Sequence, residues 1–406
     1  MARKMNQMVA ACLLTVGLWN LTAAAMVVKE PGDKKVAEMN NAFALDLYSR
    51  LVADDGNLFL SPNSIQTALA MTWAGARGAT ADQMATTLHL DADAQAGQKL
   101  GAFLRALNDD GRKGGYELSV ANALWGLTNY PFTPAYLDCV QKTYGGHLAE
   151  LNFANDPEGS RKIINDWVAS QTHDKIKDLM SSGSVTPMTR LVLTNAIYFK
   201  GKWDLPFRKE QTQDAEFRAA AGRKITAPFM FQHAKFRYGE DADVQALELP
   251  YGHGDLAMRI ILPKSADDIH ALERGLSAQR LDDLAAKMTQ EDVQVWVPRF
   301  KVETSYKLEE VLPAMGMKLA FDPNSADFGG MTSASRLFIS AVIHKAYVQT
   351  DEEGTEAAAA TGIGMRSTAV RVLRPPKVFR ADHPFVFEII HQQSGAILFM
   401  GRLAAP

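Results

Sequence analysis

The strongest constraint on the fold comes from residues 191–199, an apolar run that only Thr194 and Asn195 interrupt. A strand with one face in water alternates apolar and polar side chains, and this run does not alternate. It therefore predicts a strand that is covered on both faces, inside a large sheet with further layers on either side. Because a buried amide needs hydrogen-bond partners, Asn195 is a candidate for a polar network in the core.

Helical signals dominate the first half of the chain. Residues 36–51 carry apolar side chains at helical spacing. Ser61 is a favoured N-cap and Pro62 a favoured first helical residue, so a second helix is expected to begin there. The pattern Thr80-Ala-Asp-Gln83 indicates a capping box at the start of a third helix. Apolar spacing predicts a further helix over residues 163–179.

Strand signals dominate the second half of the chain. No linker, repeat or charge run divides the sequence into parts. Helices first and strands later therefore predict an α+β fold in one domain. Besides residues 191–199, the predicted strands lie at residues 57–60, 118–124, 257–262, 293–297, 337–343, 385–390 and 396–400.

The N-terminal residues have the form of a secretory signal. Met1-Ala-Arg-Lys is positively charged, residues 8–21 are apolar, and small residues follow up to Ala25. The apolar run is shorter than the roughly 20 residues of a membrane-spanning helix. We expect residues 1–25 to be a cleaved signal peptide and residues 26–406 the mature domain. The product is then secreted or periplasmic, without stable membrane association and without a lipid anchor.

Charge and motifs exclude several function classes. The 406 residues carry a net charge of −3 with no block of like charges, so nucleic acid is not an expected partner. The sequence contains no Gly-x-Ser-x-Gly, His-Glu-x-x-His, Cys-x-x-Cys or phosphate-binding glycine motif. We therefore expect a monomer that is not an enzyme and that has no cofactor and no metal site.

Residues 350–361, Thr-Asp-Glu-Glu-Gly-Thr-Glu-Ala-Ala-Ala-Ala-Thr, carry conflicting local signals. Four consecutive alanines favour a helix, but glycines flank them. At a spacing of two, Thr355, Ala357, Ala359 and Thr361 form one small, uncharged face, as a strand that enters a narrow slot requires. Composition alone would also allow a flexible alanine-rich linker, but conflict of this kind is expected at functional sites.

This stretch resembles the hinge of inhibitory serpins residue by residue. The resemblance implies a serpin fold of helices and large mixed β-sheets, with an exposed reactive-centre loop at about residues 352–375. Further blocks resemble the family in the same order, at residues 57–65, 74–80, 191–203, 247–251, 297–300, 326–328 and 383–385. The hinge residues are Glu352, Glu353, Gly354, Thr355, Glu356, Ala357, Ala358, Ala359, Ala360 and Thr361.

The resemblance implies a protease inhibitor that acts as a suicide substrate. A serine protease, or a cysteine protease, attacks the loop, and the hinge inserts into the central sheet as a strand while the acyl-enzyme is still intact. The resemblance also implies two groups of residues around the place where the sheet opens. Ser61, Ser64, Asn195 and His344 would form a "shutter" beneath it, and Trp203 would pack at its top. From the residues alone, all five can also be ordinary core groups.

The resemblance places the cleaved bond by counting along the loop from Glu352. The count puts it between Thr368 and Ala369, and threonine suits the small first pocket of an elastase-like or subtilisin-like protease. The neighbouring residues leave other registers open. Arg366 and Arg371 would suit a trypsin-like pocket, in which a carboxylate pairs with a guanidinium, and Met365 would suit a broader apolar pocket.

A non-inhibitory serpin that acts as a carrier or chaperone is the second hypothesis. Insertion needs small residues on the inward face of the hinge. Thr355, Ala357 and Ala359 supply them, which favours an inhibitor. Gly362 and Gly364 weaken a strand interior, so they could slow insertion or leave it incomplete.

Overall fold

A computed structural model describes residues 31–90, 95–114, 116–219, 222–333, 337–355 and 375–406. These residues form two large β-sheets that pack on each other, with helices around them. Most helices come from the first half of the chain and most strands from the second. The prediction of an α+β fold is confirmed.

The described part of the chain contains eight α-helices. The second begins where the sequence predicts, since the Ser61 side chain accepts a hydrogen bond from the Ser64 N–H and Pro62 occupies the first turn. The helices are α1 (Pro31–Leu51), α2 (Pro62–Trp73), α3 (Gly78–Thr87), α4 (Ala96–Gly114), α5 (Pro134–Tyr144), α6 (Pro157–Gln171), α7 (Ile269–Arg274) and α8 (Ala278–Lys287).

Each predicted run overlaps a strand of the structure, with boundaries that differ by a few residues, and the remaining strands were not predicted. They are β1 (Leu58–Leu60), β2 (Tyr116–Leu127), β3 (His147–Leu151), β4 (Leu191–Lys202), β5 (Gln213–Arg218), β6 (Lys224–Glu240), β7 (Val244–Tyr251), β8 (Leu256–Pro263), β9 (Thr289–Pro298), β10 (Phe300–Lys307), β11 (Ala341–Asp351), β12 (Gly354–Thr355), β13 (Lys377–Arg380), β14 (Phe385–His391) and β15 (Ile397–Leu403).

The six-stranded sheet, called the central sheet below, has the order β10-β11-β12-β4-β2-β3. It mixes directions, because β4 is antiparallel to β2 but parallel to β11. Residues 191–199 of β4 are all buried. The prediction that both faces of this strand are covered is therefore confirmed.

The second sheet has nine strands, in the order β1-β15-β14-β8-β7-β6-β9-β13, with β5 paired to β6. β13 forms one edge and runs parallel to β9, with Arg380 opposite Trp296. β14 and β15 lie inside the sheet, and every residue of both strands is buried. The segment that contains β14 and β15 is thus built into the middle of the second sheet.

The central sheet has a separate apolar core on each face. Alternate residues of β4, such as Leu193 and Phe199, face the larger core that the second sheet and α2 complete. The residues between them, such as Val192 and Tyr198, face a smaller core beneath α6. An additional strand in this sheet must therefore fit between two packed layers.

Two predicted helices have different boundaries in the structure. α3 begins before Thr80, whose hydroxyl accepts a hydrogen bond from Asp327 N–H at 3.0 Å, while Gln83 Oε1 accepts from Leu319 N–H at 2.9 Å. The two side chains of the expected capping box bind another segment instead. α6 covers Pro157–Gln171 rather than residues 163–179. It begins earlier than predicted because Asp156 is its N-cap, where the carboxylate accepts a hydrogen bond from the Gly159 N–H.

The strand predicted over residues 337–343 begins only at Ala341. Leu337 and Ile339 are buried, but residues 337–340 are not part of a strand. The apolar pattern at these residues therefore reflects burial in the core and not a strand.

Candidate functional site

β4 and β11 separate at one end of the central sheet, and the chain that follows β11 enters the gap. The two strands pair in parallel as far as Tyr347, which lies opposite Tyr198. Beyond this point the two-residue strand β12 lies between them. Thr355 of β12 pairs with Thr350 of β11 and with Gly201 of β4, antiparallel to both. The first part of the hinge is therefore already a strand of the sheet.

β12 fits into the gap because two glycines meet there. Gly354 has a φ of +147°, a conformation that residues with side chains rarely adopt. A Cβ atom on Gly354 would lie 2.0 Å from the Gly201 carbonyl oxygen, and one on Gly201 would lie 2.7 Å from the Phe199 ring. At Gly354 the slot therefore has room for backbone only.

Thr355 is the first hinge side chain that points into the core, and it is fully buried. Its Oγ1 lies 2.8 Å from the Tyr251 hydroxyl. Tyr251 stacks on Trp203 with ring centroids 4.2 Å apart, and burial raises the pKa of Tyr251 well above its ordinary value. Trp203 Nε1 in turn donates to the Asp351 carbonyl at 2.9 Å. The two aromatic rings thus hold the hinge at its entry.

Glu352 anchors the chain just before β12. Its carboxylate is 2% exposed and accepts hydrogen bonds from Arg299 Nε at 2.8 and 2.9 Å, from Arg299 Nη2, and from the Thr212 hydroxyl. Burial alone would raise the carboxyl pKa. The hydrogen bonds from Arg299 and Thr212 outweigh it and hold the pKa of Glu352 below its usual range. We call these three residues the hinge clamp.

The segment that follows β4 supports the hinge from one side. The Trp203 N–H donates to the Glu353 carbonyl at 3.0 Å, and the Phe207 N–H donates to the Glu352 carbonyl at 2.8 Å. Lys209 Nζ lies 2.6 Å from Glu353 Oε1, and this hydrogen bond is the main cause that raises the pKa of Lys209. The hinge is therefore bound by backbone hydrogen bonds and by an ion pair.

A row of polar side chains crosses the central sheet below the hinge. Asn195 in β4 lies opposite Asn122 of β2 and opposite His344 of β11. Asn195 Nδ2 donates to Asn122 Oδ1, and Asn195 Oδ1 accepts from His344 Nδ1. The Asn195–His344 hydrogen bond crosses the boundary between β4 and β11, which has to open if a strand inserts there.

The start of α2 packs onto this row and completes its hydrogen bonds. The Ser61 N–H donates to His344 Nε2 at 3.2 Å, so Nε2 carries no proton and Nδ1 carries it. Ser64 Oγ accepts from Asn195 Nδ2 at 2.6 Å and donates to Asn122 Oδ1 at 3.2 Å. We call Ser61, Ser64, Asn122, Asn195 and His344 the shutter cluster. Each of these side chains is buried and has a partner, as a polar group in a core requires.

His344 is the titratable member of the shutter cluster. It is fully buried and stacks on Tyr306 with centroids 6.3 Å apart. Burial lowers the pKa of His344 from 6.5 to about 3, and the hydrogen bond to Asn195 only partly opposes this. A proton on Nε2 would also face the Ser61 N–H, donor against donor. The cluster is therefore neutral at neutral pH.

Several predicted residues lie outside the described part of the chain. They are the hinge residues 356–361, the predicted bond Thr368–Ala369, the alternatives Met365, Arg366 and Arg371, and the signal-like residues 1–25. Among the residues that are described, no helix has the length and apolar character needed to cross a membrane. The same residues contain no cluster of three or more His, Cys, Asp or Glu side chains that could hold a metal ion.

Comparison with known proteins identifies the family. The profile described as serpin (serine protease inhibitor) matches residues 38–406. The chain belongs to the serpin family. It is 42% identical to the human leukocyte elastase inhibitor over 92% of this chain and 100% of that protein. It is also 42% identical to a serpin-like protein of Thermococcus kodakarensis, over 94% of this chain and 88% of that protein.

The fold of this serpin also matches solved serpin structures. The crystal structure of tengpin, a thermophilic serpin in the native state, aligns with a TM-score of 0.84 at 26% identity. The alignment covers 94% of this chain and 96% of tengpin. The predicted serpin fold of helices and large mixed sheets is therefore confirmed.

Sequence reasoning missed four residues at the site of this serpin. Asn122 is a polar residue in an apolar strand, the same signal that singles out Asn195, and it could have been found in the same way. Thr212, Tyr251 and Arg299 carry no local signal for their roles. They meet the hinge only through contacts between distant parts of the chain.

We expect this serpin to lose stability as the pH falls below 6.5, toward the His344 pKa of about 3. The unfolded chain binds a proton at His344 in this range and the native chain does not, so unfolding is favoured by on the order of 1 kcal/mol per pH unit. The measurement is urea unfolding between pH 7 and pH 5. His344→Gln, which cannot titrate, is the matched variant and should show a flatter pH profile. Parallel profiles for the two proteins would contradict the expectation.

Proposed function

We propose that this serpin inhibits proteases by trapping them, through insertion of its hinge between β4 and β11. The observation that carries the proposal is β12, since Gly354 and Thr355 are paired with a strand on each side. The strands are thus parted where insertion has to begin. Similarity to a protein named leukocyte elastase inhibitor supports the same function.

The register of β12 defines the path of an inserted strand. Because β12 is antiparallel to β4, each further residue of the loop moves one residue back along β4. If the inserted strand keeps this register, Thr361 would lie opposite Asn195 and His344. Met365 would lie opposite Leu191, where β4 begins. β4 has 12 residues, so the slot accepts residues 354–365. The bond after Thr368 would lie just beyond it.

This register also assigns each loop residue to a layer. Ala357, Ala359 and Thr361 would face the larger core together with Thr355, and all of them are small. Thr361 would arrive where the Asn195–His344 hydrogen bond breaks, and its hydroxyl could replace the lost partner. Gly362 and Gly364 would face α6, so they would add no side chain between the sheet and that helix.

Insertion would exchange one parallel ladder for two antiparallel ladders. The pairing of residues 341–347 with 192–198 is lost, and about a dozen residues pair on both sides instead. At ~1 kcal/mol net for each added hydrogen bond, the gain is on the order of 10 kcal/mol. That equals the stability of a whole domain, ~5–15 kcal/mol. Insertion can therefore perform mechanical work on an attached protease.

The trap follows from the order of the steps. The protease nucleophile attacks the Thr368 carbonyl carbon, the peptide bond to Ala369 breaks, and an acyl-enzyme forms. Insertion of the ten remaining residues, 356–365, then moves the acyl group by roughly 30 Å along the sheet, at ~3.3 Å per residue. Displacement of catalytic groups by ~1 Å lowers a rate about a hundredfold. The ester then persists because the protease can no longer hydrolyse it.

The N-terminal residues favour export of the inhibitor. Residues 1–25 have the pattern of a signal peptide, so we propose a monomeric inhibitor that is exported to the periplasm or beyond. Its partner is a serine protease of elastase-like, subtilisin-like or trypsin-like specificity.

The test is incubation with trypsin, pancreatic elastase and subtilisin, followed by denaturing electrophoresis. We expect a covalent complex with at least one of them, and a C-terminal fragment with the mass of residues 369–406. The fragment must be collected after denaturation, because β14 and β15 hold it inside the second sheet. A fragment that starts at Ser367 or Val372 would instead identify a trypsin-like target. Cleavage without any covalent complex would count against the inhibitor.

We expect Thr355→Arg to convert the inhibitor into a substrate. Thr355 is fully buried in β12, and an unpaired charge at this position costs several kcal/mol. The arginine therefore displaces β12 from the gap, and the cleaved loop has to enter against that cost. The matched control is Glu356→Arg, which the register places on the other face of the inserted strand. The measurement is the ratio of covalent complex to cleaved product. An unchanged ratio for Thr355→Arg would contradict insertion.

We expect cleavage of the loop to stabilise the protein. In a domain of this size, a gain on the order of 10 kcal/mol corresponds to a melting temperature about 10 °C higher, whereas a nick in an ordinary loop leaves stability unchanged or lower. The measurement is thermal unfolding of the intact and the loop-cleaved protein. A cleaved form that melts at or below the intact form would favour a carrier or chaperone.

A further inference from the structure

A groove of about 390 Å³ lies between the two anchors of the reactive-centre loop. One side is formed by Glu210 and Gln211, which come directly before Thr212 of the hinge clamp. The other side includes Arg380, which belongs to β13, the strand that follows the loop. The groove therefore starts beside the hinge and ends beside the strand to which the loop returns.

Aromatic rings and an arginine form the floor of the groove. Phe231 and Trp296 are half-buried, with ring centroids 4.7 Å apart. The Arg380 guanidinium lies 5.6 Å from the centroids of both Trp296 and Phe229. Arg380 Nε lies 3.3 Å from Asp382. Tryptophan and arginine supply a large share of the binding energy at protein interfaces.

Two carboxylates stand at the rim of the groove. Glu210 and Asp214 are exposed and, within the described residues, form no ion pair. The nearby cations are engaged elsewhere, since Lys209 pairs with Glu353 and Arg218 with Asp382. Two exposed carboxylates that line the same groove as half-buried aromatic rings are suited to bind an ammonium or guanidinium group.

We infer that this groove is a second contact surface for the protease that the loop captures, and that it receives a lysine or arginine side chain from the protease surface. The inference rests on the proposed function. A protease that holds the chain between Thr355 and Pro375 must lie against the end of the molecule that carries both anchors, and the groove lies between them. Contact there orients the protease before any bond is cleaved, so it raises the association rate.

The test is the second-order rate constant for covalent complex formation, measured separately with trypsin, pancreatic elastase and subtilisin. Glu210→Lys combined with Asp214→Lys should lower it about tenfold at low ionic strength for a protease that uses the groove. The neutral pair Glu210→Gln and Asp214→Asn should lower it less. Added salt should reduce both differences, because exposed charges are screened. The ratio of complex to cleaved product should not change, since the groove acts before cleavage.

Asp166→Lys combined with Asp282→Lys is the charge-matched control. Both residues are exposed, on α6 and α8, and the net charge changes by the same amount. This control should keep the wild-type rate. If wild type, control and groove variant react at equal rates with every protease that the wild type traps, the groove is not a contact surface for the protease. The proposed inhibitory function would not be affected by that result. If the wild type forms no covalent complex with any of the three proteases, both the inhibitory function and the contact surface are contradicted.

Discussion

The parallel alignment of β4 and β11 is the constraint on which the rest of the structure depends. A chain that turns back at the end of β11 must run antiparallel to it, and because β4 has the same direction, that chain is antiparallel to β4 as well. Antiparallel neighbours can be joined by a tight turn, whereas parallel ones need a long crossover. The gap between the two strands can therefore be filled by the segment directly after β11, without rearranging any other strand.

Two polar groups of different character hold the sheet at this boundary. The hinge clamp is charged and partly accessible, since Arg299 is 42% exposed while Glu352 is buried. The shutter cluster is neutral and fully enclosed, and its hydrogen bonds depend on one tautomer of His344. The clamp holds the chain at the entry, and the cluster keeps the strands paired below it. Solvent therefore contacts the hinge clamp through Arg299, whereas the residues of the shutter cluster are buried.

Much of this arrangement could be predicted from short-range patterns. The buried strand β4, the cap of α2 and the small inward face of the hinge all depend on neighbours in sequence. The errors arose where a side chain serves a distant segment. Thr80 and Gln83 look like a capping box but bind the chain near Asp327 and Leu319. Ile176 continues a helical pattern, yet it packs on the core beneath α6 from the loop that follows that helix. Arg299 could not be placed at all, because its partner Glu352 is brought to it only by the completed sheet.

The position of β14 and β15 has a consequence for the cleaved molecule. Both strands come after residues 352–375, the predicted reactive-centre loop, and each has a neighbouring strand on either side within the second sheet. A cut in the loop therefore divides the protein into two polypeptides without removing either strand from its place. The shorter polypeptide contributes part of the shared core, including Phe387 and Phe399, which stack on Phe59 of the longer one. A molecule cleaved there would be a heterodimer of its own fragments, held together by an interface that was the interior of a single chain.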